Sequence, residues 1–224
     1  MATTLGAGPL AACDLALVLA VDVSGSVDRQ EYAVQMQGLA EGLRDRVVTE
    51  ALVDGQAVIA LVQWTGASRQ DLTIGWTQVS TKGDLEALAQ QIETAPRLWV
   101  EYSTAIGEAM LFVADVFNDA PACKRRVVDI SGDGRSNEGA EPAEVRVEME
   151  ALAITVNALV IRGDDVGLPA YFAENVISGG NAFVVTAETY DEYPERMRRK
   201  LRRETERQVS MALEEVVPVG FGGE

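Results

Sequence analysis

Histidine is the most telling absence from this chain of 224 residues, which contains none. Its absence excludes the Ser-His-Asp and Cys-His forms of nucleophilic catalysis, together with zinc sites that use imidazole ligands. The sequence also has no internal repeat, no low-complexity tract and no apolar run long enough to span a membrane. These absences leave a globular domain without the commonest catalytic side chain.

Positive charge is scarce, with 19 Lys and Arg residues against 35 Asp and Glu residues and a net charge of −16. Because contacts to phosphates need clustered basic side chains, we expect no nucleic-acid binding. The one basic cluster lies near the C-terminus, and we interpret it as a solvated helix face; contact with anionic lipid or an acidic partner is the alternative. It consists of Arg196, Arg198, Arg199, Lys200, Arg202 and Arg203.

The most informative stretch of the chain is Asp22-Val23-Ser24-Gly25-Ser26, which follows the apolar run Leu15 to Val21. The apolar run predicts a strand buried on both faces, and an amphipathic helix begins shortly after the stretch. Ligand sites of open α/β sheets lie at the carboxyl ends of such strands. One carboxylate and two hydroxyls at alternating positions favour Mg²⁺, Mn²⁺ or Ca²⁺ and make a poor zinc site.

Two later segments add oxygen ligands at the same predicted edge. Thr104 lies in a loop before a helix that we expect to end near Asn118, with Ser103 or Thr104 as its cap. Asp133 lies in a glycine-rich turn after a second buried strand, in the segment VVDISGDG beginning at Val127. Each of these residues alone is typical of a turn or a helix cap, whereas together they predict a metal site.

The order Asp-x-Ser-x-Ser, loop Thr, then Asp-Gly after a buried strand resembles the metal-ion-dependent adhesion site of von Willebrand factor A-type domains. The chain is most similar to an uncharacterised bacterial family of this fold, in LALVLAVDVSGSVD, VQWTG, RRVVDISGDGRSN and ENVISGGNAFV. The similarity covers about residues 13–205. It implies an α/β fold with a doubly wound, Rossmann-like, mostly parallel sheet, one antiparallel edge strand and helices on both faces.

The resemblance also implies a ligand set and a function. Ser24, Ser26 and Thr104 would bind a divalent cation (Mg²⁺, or else Mn²⁺ or Ca²⁺) through their hydroxyls, and Asp22 and Asp133 directly or through water. Because neutral hydroxyls leave the ion with uncompensated positive charge, an open coordination position attracts an Asp or Glu carboxylate of a partner protein. The expected function is a metal-dependent adhesion or interaction module, not an enzyme.

Two other functions stay open from the sequence. A Mg²⁺-dependent phosphoester hydrolase also places an Asp after its first strand, but usually with a second carboxylate two residues later, where this chain has Ser24. A serine nucleophile would need a base, and no lysine adjoins the motifs. The other alternative is a scaffold domain with a purely structural metal, which would unfold when the metal is removed.

The two cysteines bear on location. Cys13 precedes the first strand and Cys123 the second Asp-bearing strand, and in the fold implied by the resemblance these strands are parallel neighbours. A disulfide between them would indicate a periplasmic or secreted protein. The alternatives are two unrelated thiols, or acylation of Cys13 as in a lipoprotein, since Leu10-Ala11-Ala12 precedes it. We favour the disulfide.

The chain is expected to form one domain with short terminal extensions. We predict a signal-like or disordered segment at 1–12, a von Willebrand factor A-like domain at 13–215 and a flexible tail at 216–224. Within the domain, apolar residues at helical spacing predict one helix from Asp28 to Val48. Asp129, near the end of the second Asp-bearing strand, is interpreted as a structural residue.

Overall fold

A six-stranded sheet in the order β3-β2-β1-β4-β5-β6 forms the centre of the computed structural model, which describes residues 13–214, with side chains described as far as Thr205. All neighbouring pairs are parallel except β2 with β3, which is antiparallel and places β3 at one edge. The predicted fold class is therefore confirmed. The strands are β1 (Cys13–Asp22), β2 (Val58–Trp64), β3 (Gln70–Gln78), β4 (Cys123–Gly132), β5 (Ile154–Ile161) and β6 (Val184–Ala187).

Helices cover both faces of the sheet. One face packs against α1, α2, α3 and α7, and the other packs against α4, α5 and α6. Parallel sheets need such cover on both sides because their crossover connections carry the helices. The helices are α1 (Arg29–Leu43), α2 (Arg46–Asp54), α3 (Lys82–Thr94), α4 (Ile106–Val116), α5 (Pro142–Ala151), α6 (Leu168–Asn175) and α7 (Tyr193–Glu214).

The central strand β1 shows why its apolar run predicts burial on both faces. Every residue of β1 except Asp14 is buried. Leu17 and Leu19 contribute to the core under α1 and α7, whereas Val18 and Ala20 contribute to the core under α4 and α5. Side chains of a strand alternate between faces, so a strand covered on both sides reads as one continuous apolar run.

The prediction of one helix from Asp28 to Val48 is wrong. The chain forms two helices, and the break falls at Asp45, whose carboxylate accepts the backbone N–H groups of Val47 (3.1 Å) and Val48 (3.4 Å). A short acidic side chain that caps the next helix offers the backbone an alternative to helix continuation. The apolar periodicity persists through the break and hides it.

The disulfide is present. Cys13 and Cys123 are bonded at paired positions of β1 and β4, with their Cα atoms 4.4 Å apart. The bridge joins the amino ends of the two central strands, at the edge opposite the Asp-x-Ser-x-Ser turn. It uses the Sγ atom that acylation of Cys13 would need.

The interpretation of the basic cluster as a solvated face is wrong at one position. Lys200 is fully buried and forms an ion pair with Asp129, which is also buried. The guanidinium of Arg202 pairs with Asp45 at the surface. Asp129 thus has the structural role expected of it, with a partner that the sequence pattern does not reveal.

The chain ends are outside this description. The predicted segments 1–12 and 216–224 lie beyond the described residues, so the proposed domain limits stay predictions. No helix in the described part is both long enough and apolar enough to span a bilayer.

Candidate metal centre

The site is built at the carboxyl end of β1. Asp22 is the last residue of the strand and is fully buried. Its Oδ1 accepts the backbone N–H of Ser24 at 2.7 Å, and the N–H of Val27 donates to the Ser24 carbonyl at 3.1 Å to close a turn. The chain then enters α1, which Asp28 caps. This local network explains why the two serines are held in a turn directly above Asp22 rather than in a helix.

The turn after β4 meets the turn after β1. The hydroxyl of Ser26 donates to Asp133 Oδ1 at 2.6 Å, and the hydroxyls of Ser24 and Ser26 lie 3.3 Å apart. The other oxygen of Asp133, Oδ2, accepts the phenolic hydroxyl of Tyr190 at 2.8 Å. Because β1 and β4 are adjacent and parallel, their carboxyl ends lie side by side and bring these groups together.

Thr104 reaches the same place from the loop before α4. Its backbone N–H donates to the side-chain carbonyl of Asn137 at 3.0 Å, and the Asn137 N–H donates to the Thr104 carbonyl at 2.9 Å. Its Oγ1 is 3.7 Å from where a Cβ on Gly134 would stand, so the hydroxyl adjoins the turn that carries Asp133. Thr104 is almost completely buried.

The prediction that Ser103 or Thr104 caps α4 is wrong. The capping position is Ala105, which offers no side-chain bond, and the N–H of Ile106 donates instead to Ser136 Oγ at 3.2 Å. The Ser103 hydroxyl donates to Glu138, which also accepts the N–H of Ala67. The Ser103 hydroxyl is therefore engaged away from the helix end.

The turn of β1 and the loop of Thr104 are in close contact at Gly25. The N–H of Gly25 donates to the Tyr102 carbonyl at 2.7 Å. A Cβ at Gly25 would lie 3.2 Å from that oxygen and 3.3 Å from the Cα of Glu101, which is tighter than ordinary packing. Glu101 itself has a φ of +62°, in the left-handed region. A glycine between the two serines thus lets the two loops approach.

Electrostatics at Asp22 are unusual. Burial, together with the nearby charge of Asp133, raises the pKa of Asp22 from 3.8 to about 7, although hydrogen bonds from Ser24 and from the backbone of Asp133 lower it in part. Its Oδ2 is buried and has no hydrogen-bond partner in the described part of the chain. Burial and the charge of Asp133 also raise the pKa of Tyr190 far above its ordinary value, so its hydroxyl stays protonated and donates to Asp133.

A divalent cation fits this arrangement. A buried carboxylate oxygen without a partner is costly, and a bound cation removes that cost. The described residues contain no group of three or more His, Cys, Asp or Glu side chains that could hold a metal. A cation at this site would therefore rely on hydroxyl oxygens beside two carboxylates, which is a donor set for hard ions.

The structure brings all five predicted residues to one edge of the sheet, namely Asp22, Ser24, Ser26, Thr104 and Asp133. Sequence reasoning did not find Tyr190 as part of this cluster, because it follows Asp133 by 57 residues and belongs to no local motif. It also missed the pairing of Asn137 with Thr104. The acidic loop after Asp133 carries a weak signal for Asn137, whereas no pattern in the sequence marks Tyr190.

Solved structures of von Willebrand factor A-type proteins have a similar fold. Proximal thread matrix protein 1 from the mussel byssus matches with a TM-score of 0.66 at 18% identity, over 85% of this chain and 47% of that chain. Another structure of that protein, with a zinc-occupied MIDAS motif, has a TM-score of 0.64 at 16% identity, over 87% and 46% of the two chains. A von Willebrand factor type A protein from Catenulispora acidiphila has a TM-score of 0.59 at 15% identity, over 86% and 43%.

At these identities the likeness establishes the fold alone, and this chain spans less than half the length of each of these three matched chains. Among curated proteins there is no match. The model of a family described as protein of unknown function (DUF1194) matches residues 12–209. The predicted resemblance is thereby confirmed: the chain belongs to the DUF1194 family and has the von Willebrand factor A-type fold.

Proposed function

We propose that this domain is a metal-dependent interaction module. It holds one divalent cation at Asp22, Ser24, Ser26, Thr104 and Asp133, and the cation accepts a carboxylate oxygen from an Asp or Glu of a partner protein. The observation that carries the proposal is the buried, unpartnered Oδ2 of Asp22 beside a cluster of hydroxyls.

The hydroxyl geometry supports the proposed ligand roles. Ser26 donates its one hydrogen to Asp133 and can therefore only accept from Ser24 across their 3.3 Å contact, which leaves one lone pair of its oxygen for a cation. Two carboxylates balance a divalent ion formally, but where they bind it through water the ligands in direct contact are neutral hydroxyls. Such an ion still attracts an anionic oxygen from outside, even though the chain as a whole carries −16 and repels acidic partners at long range.

Mg²⁺ is the proposed ion, with Mn²⁺ and Ca²⁺ as alternatives, because hard cations prefer oxygen ligands. The zinc-occupied MIDAS motif of the mussel protein supports binding of a divalent metal by this kind of site in a similar fold. We propose binding rather than catalysis, because Ser24 occupies the position where phosphoester hydrolases commonly have a second carboxylate.

We further propose a periplasmic or secreted location. The bond between Cys13 and Cys123 supports this placement, since disulfides persist in oxidising compartments. One protein of similar fold is the pilus adhesin SpaC from Lactobacillus rhamnosus GG. It matches at 12% identity with a TM-score of 0.63, over 87% of this chain and 31% of that one. A partner outside the cytoplasm agrees with this similarity.

Calorimetric titration of Mg²⁺ into chelator-treated protein tests the metal site. We expect one binding event in the wild type that is lost in Asp22→Asn and in Thr104→Val, which removes the hydroxyl but keeps the shape of the side chain. Asp164→Asn is the matched control, because Asp164 is an exposed acid that lines a surface cavity together with Asp133 but is not a proposed ligand. Absence of binding in the wild type, or equal loss in the control, contradicts the proposal.

Acetate tests carboxylate capture in its simplest form. The metal-loaded wild type should bind acetate, detected by nuclear magnetic resonance line broadening of the acetate methyl signal, and chelation or Asp22→Asn should abolish that binding. A structural metal predicts a different result, in which acetate has no effect and chelation unfolds the domain as followed by circular dichroism.

A further inference from the structure

We propose that Tyr190 is a positioning residue of the metal centre. By holding one oxygen of Asp133, its hydroxyl keeps the other oxygen on Ser26 and thereby sets the affinity of the site for its cation. This inference rests on the proposed function, since it concerns the same site, and it adds a residue that lies outside the Asp-x-Ser-x-Ser, Thr and Asp pattern.

Tyr190 lies where the chain passes from β6 into α7. It begins a short 3-10 helix, Tyr190–Glu192, that leads directly into α7 at Tyr193. Its ring packs against the core shared with α1, so the phenol approaches Asp133 from the side of that core. The hydroxyl donates to Asp133 Oδ2 at 2.8 Å, which is ordinary geometry for a hydrogen bond between a phenol and a carboxylate.

Asp133 is held at both of its oxygens by hydroxyl donors. Ser26 donates to Oδ1 and Tyr190 donates to Oδ2. Two donors on opposite oxygens restrict rotation of the carboxylate about its last bond, which is otherwise a soft torsion. Rotation of the Asp133 carboxylate would therefore break these hydrogen bonds.

The orientation of Asp133 decides where the hydrogen of Ser26 points. In the structure that hydrogen is engaged by Asp133, so Ser26 accepts from Ser24 and keeps one lone pair for a cation. If Asp133 rotates, the Ser26 hydroxyl loses this acceptor and is free to turn its hydrogen toward Ser24 Oγ, 3.3 Å away. That hydrogen would then occupy a lone pair of Ser24, another proposed ligand, so Tyr190 acts on the site through Asp133 and Ser26.

The chain offers a matched control in Tyr32. Its hydroxyl also donates one hydrogen bond, to the Ala95 carbonyl at 3.0 Å, and its ring belongs to the same core. That carbonyl is not part of the proposed ligand set. Tyr32→Phe therefore removes a comparable hydroxyl without touching the centre.

The test measures Mg²⁺ affinity by calorimetry and the free energy of unfolding by urea in chelator-treated protein, for the wild type, Tyr190→Phe and Tyr32→Phe. Groups that orient metal ligands commonly contribute about 10- to 100-fold in affinity, so we expect Tyr190→Phe to weaken Mg²⁺ binding at least about tenfold. Tyr32→Phe should leave the affinity unchanged while lowering stability as much as Tyr190→Phe does.

A double-mutant cycle with Asp133→Ala, followed by the free energy of unfolding of chelator-treated protein, tests whether Tyr190 acts through Asp133, since Asp133 is itself a proposed ligand. If it does, Tyr190→Phe costs less stability in the Asp133→Ala background than in the wild type. Unchanged affinity in Tyr190→Phe, or an equal loss in Tyr32→Phe, overturns the inference and leaves the proposed function intact. Absence of Mg²⁺ binding in the wild type overturns the proposed function, and this inference with it.

Discussion

Two buried aspartates on the neighbouring central strands differ in how their charge is compensated. Asp129 of β4 is paired with a buried cation of the chain itself, Lys200 of α7. Asp22 of β1 is equally buried, yet its Oδ2 has no partner in the described part of the chain, and another acid, Asp133, lies nearby. The first arrangement has its counter-charge within the chain, whereas the second would receive one from the proposed cation.

The comparison teaches that burial of a carboxylate does not by itself indicate function. What distinguishes Asp22 is its surroundings. Hydroxyl groups that can act as metal ligands lie near it, and no lysine or arginine of the described residues forms an ion pair with it. Lys200 also lies next to a second buried contact, between Asn157 and Glu204, which anchors α7 to β5. An ion pair within the chain ties a helix to the sheet, whereas its absence at the buried Asp22 in the described part of the chain supports the proposed cation site.

The largest effect is expected from disruption of the ion pair between Asp129 and Lys200. Lys200→Met leaves Asp129 as an uncompensated buried charge, and removing one partner of such a pair typically costs about 3–5 kcal/mol of unfolding free energy. Urea unfolding of chelator-treated protein measures it, with the exposed Arg199→Met as control. Adding Asp129→Asn to Lys200→Met should restore most of the loss. A loss below about 1 kcal/mol, the range of an exposed pair, would refute the assignment.

A smaller effect on the free energy of unfolding, of opposite sign, is expected from substitution of Asp22. The folded-state pKa of Asp22 is raised from 3.8 to about 7, so the metal-free folded protein binds this proton more tightly than the unfolded chain does. The stability that protonation contributes is therefore fully present below about pH 4 and is lost as the pH rises through 7. Asp22→Asn should remove this decline and leave the metal-free protein at least as stable as the wild type at pH 8.

Urea unfolding in chelator at pH 5 and at pH 8 tests this expectation. Because Mg²⁺ competes with the same proton, its affinity should rise between these two pH values in the wild type. A wild type and an Asp22→Asn variant that lose equal stability between pH 5 and pH 8 would show that another group is responsible.

The smallest expected effect concerns the support of Thr104. Asn137→Ala removes the acceptor of the Thr104 N–H, and one such bond contributes about 1 kcal/mol to the free energy of unfolding. Mg²⁺ affinity should fall with it, because the loop that presents the Thr104 hydroxyl loosens. Calorimetry and urea unfolding measure the two quantities, and the exposed Asn118→Ala serves as control. Unchanged Mg²⁺ affinity would show that the loop is held by its other bonds.

Local patterns were sufficient to predict β1 and β4, and the resemblance to von Willebrand factor A-type domains assigned the five candidate ligands. The apolar run before Asp22 predicts a strand covered on both faces, and polar residues directly after such a strand lie at its carboxyl edge. The break between α1 and α2 escaped prediction because the apolar spacing continues across Asp45, and only the cap formed in the structure ends the helix.

The sequence by itself determined the alternation of strands and helices, which depends on short-range patterns of polarity, and its resemblance to von Willebrand factor A-type domains indicated the family and the residues available for a metal centre. The tertiary structure alone decided which charges are compensated. Lys200 looks like one of several basic residues on a solvated helix, and Tyr190 like an ordinary aromatic residue before a helix. Their partners, Asp129 and Asp133, are brought to them only when α7 packs on the sheet, because hydrogen bonds and ion pairs depend on distance in space and not on separation along the chain.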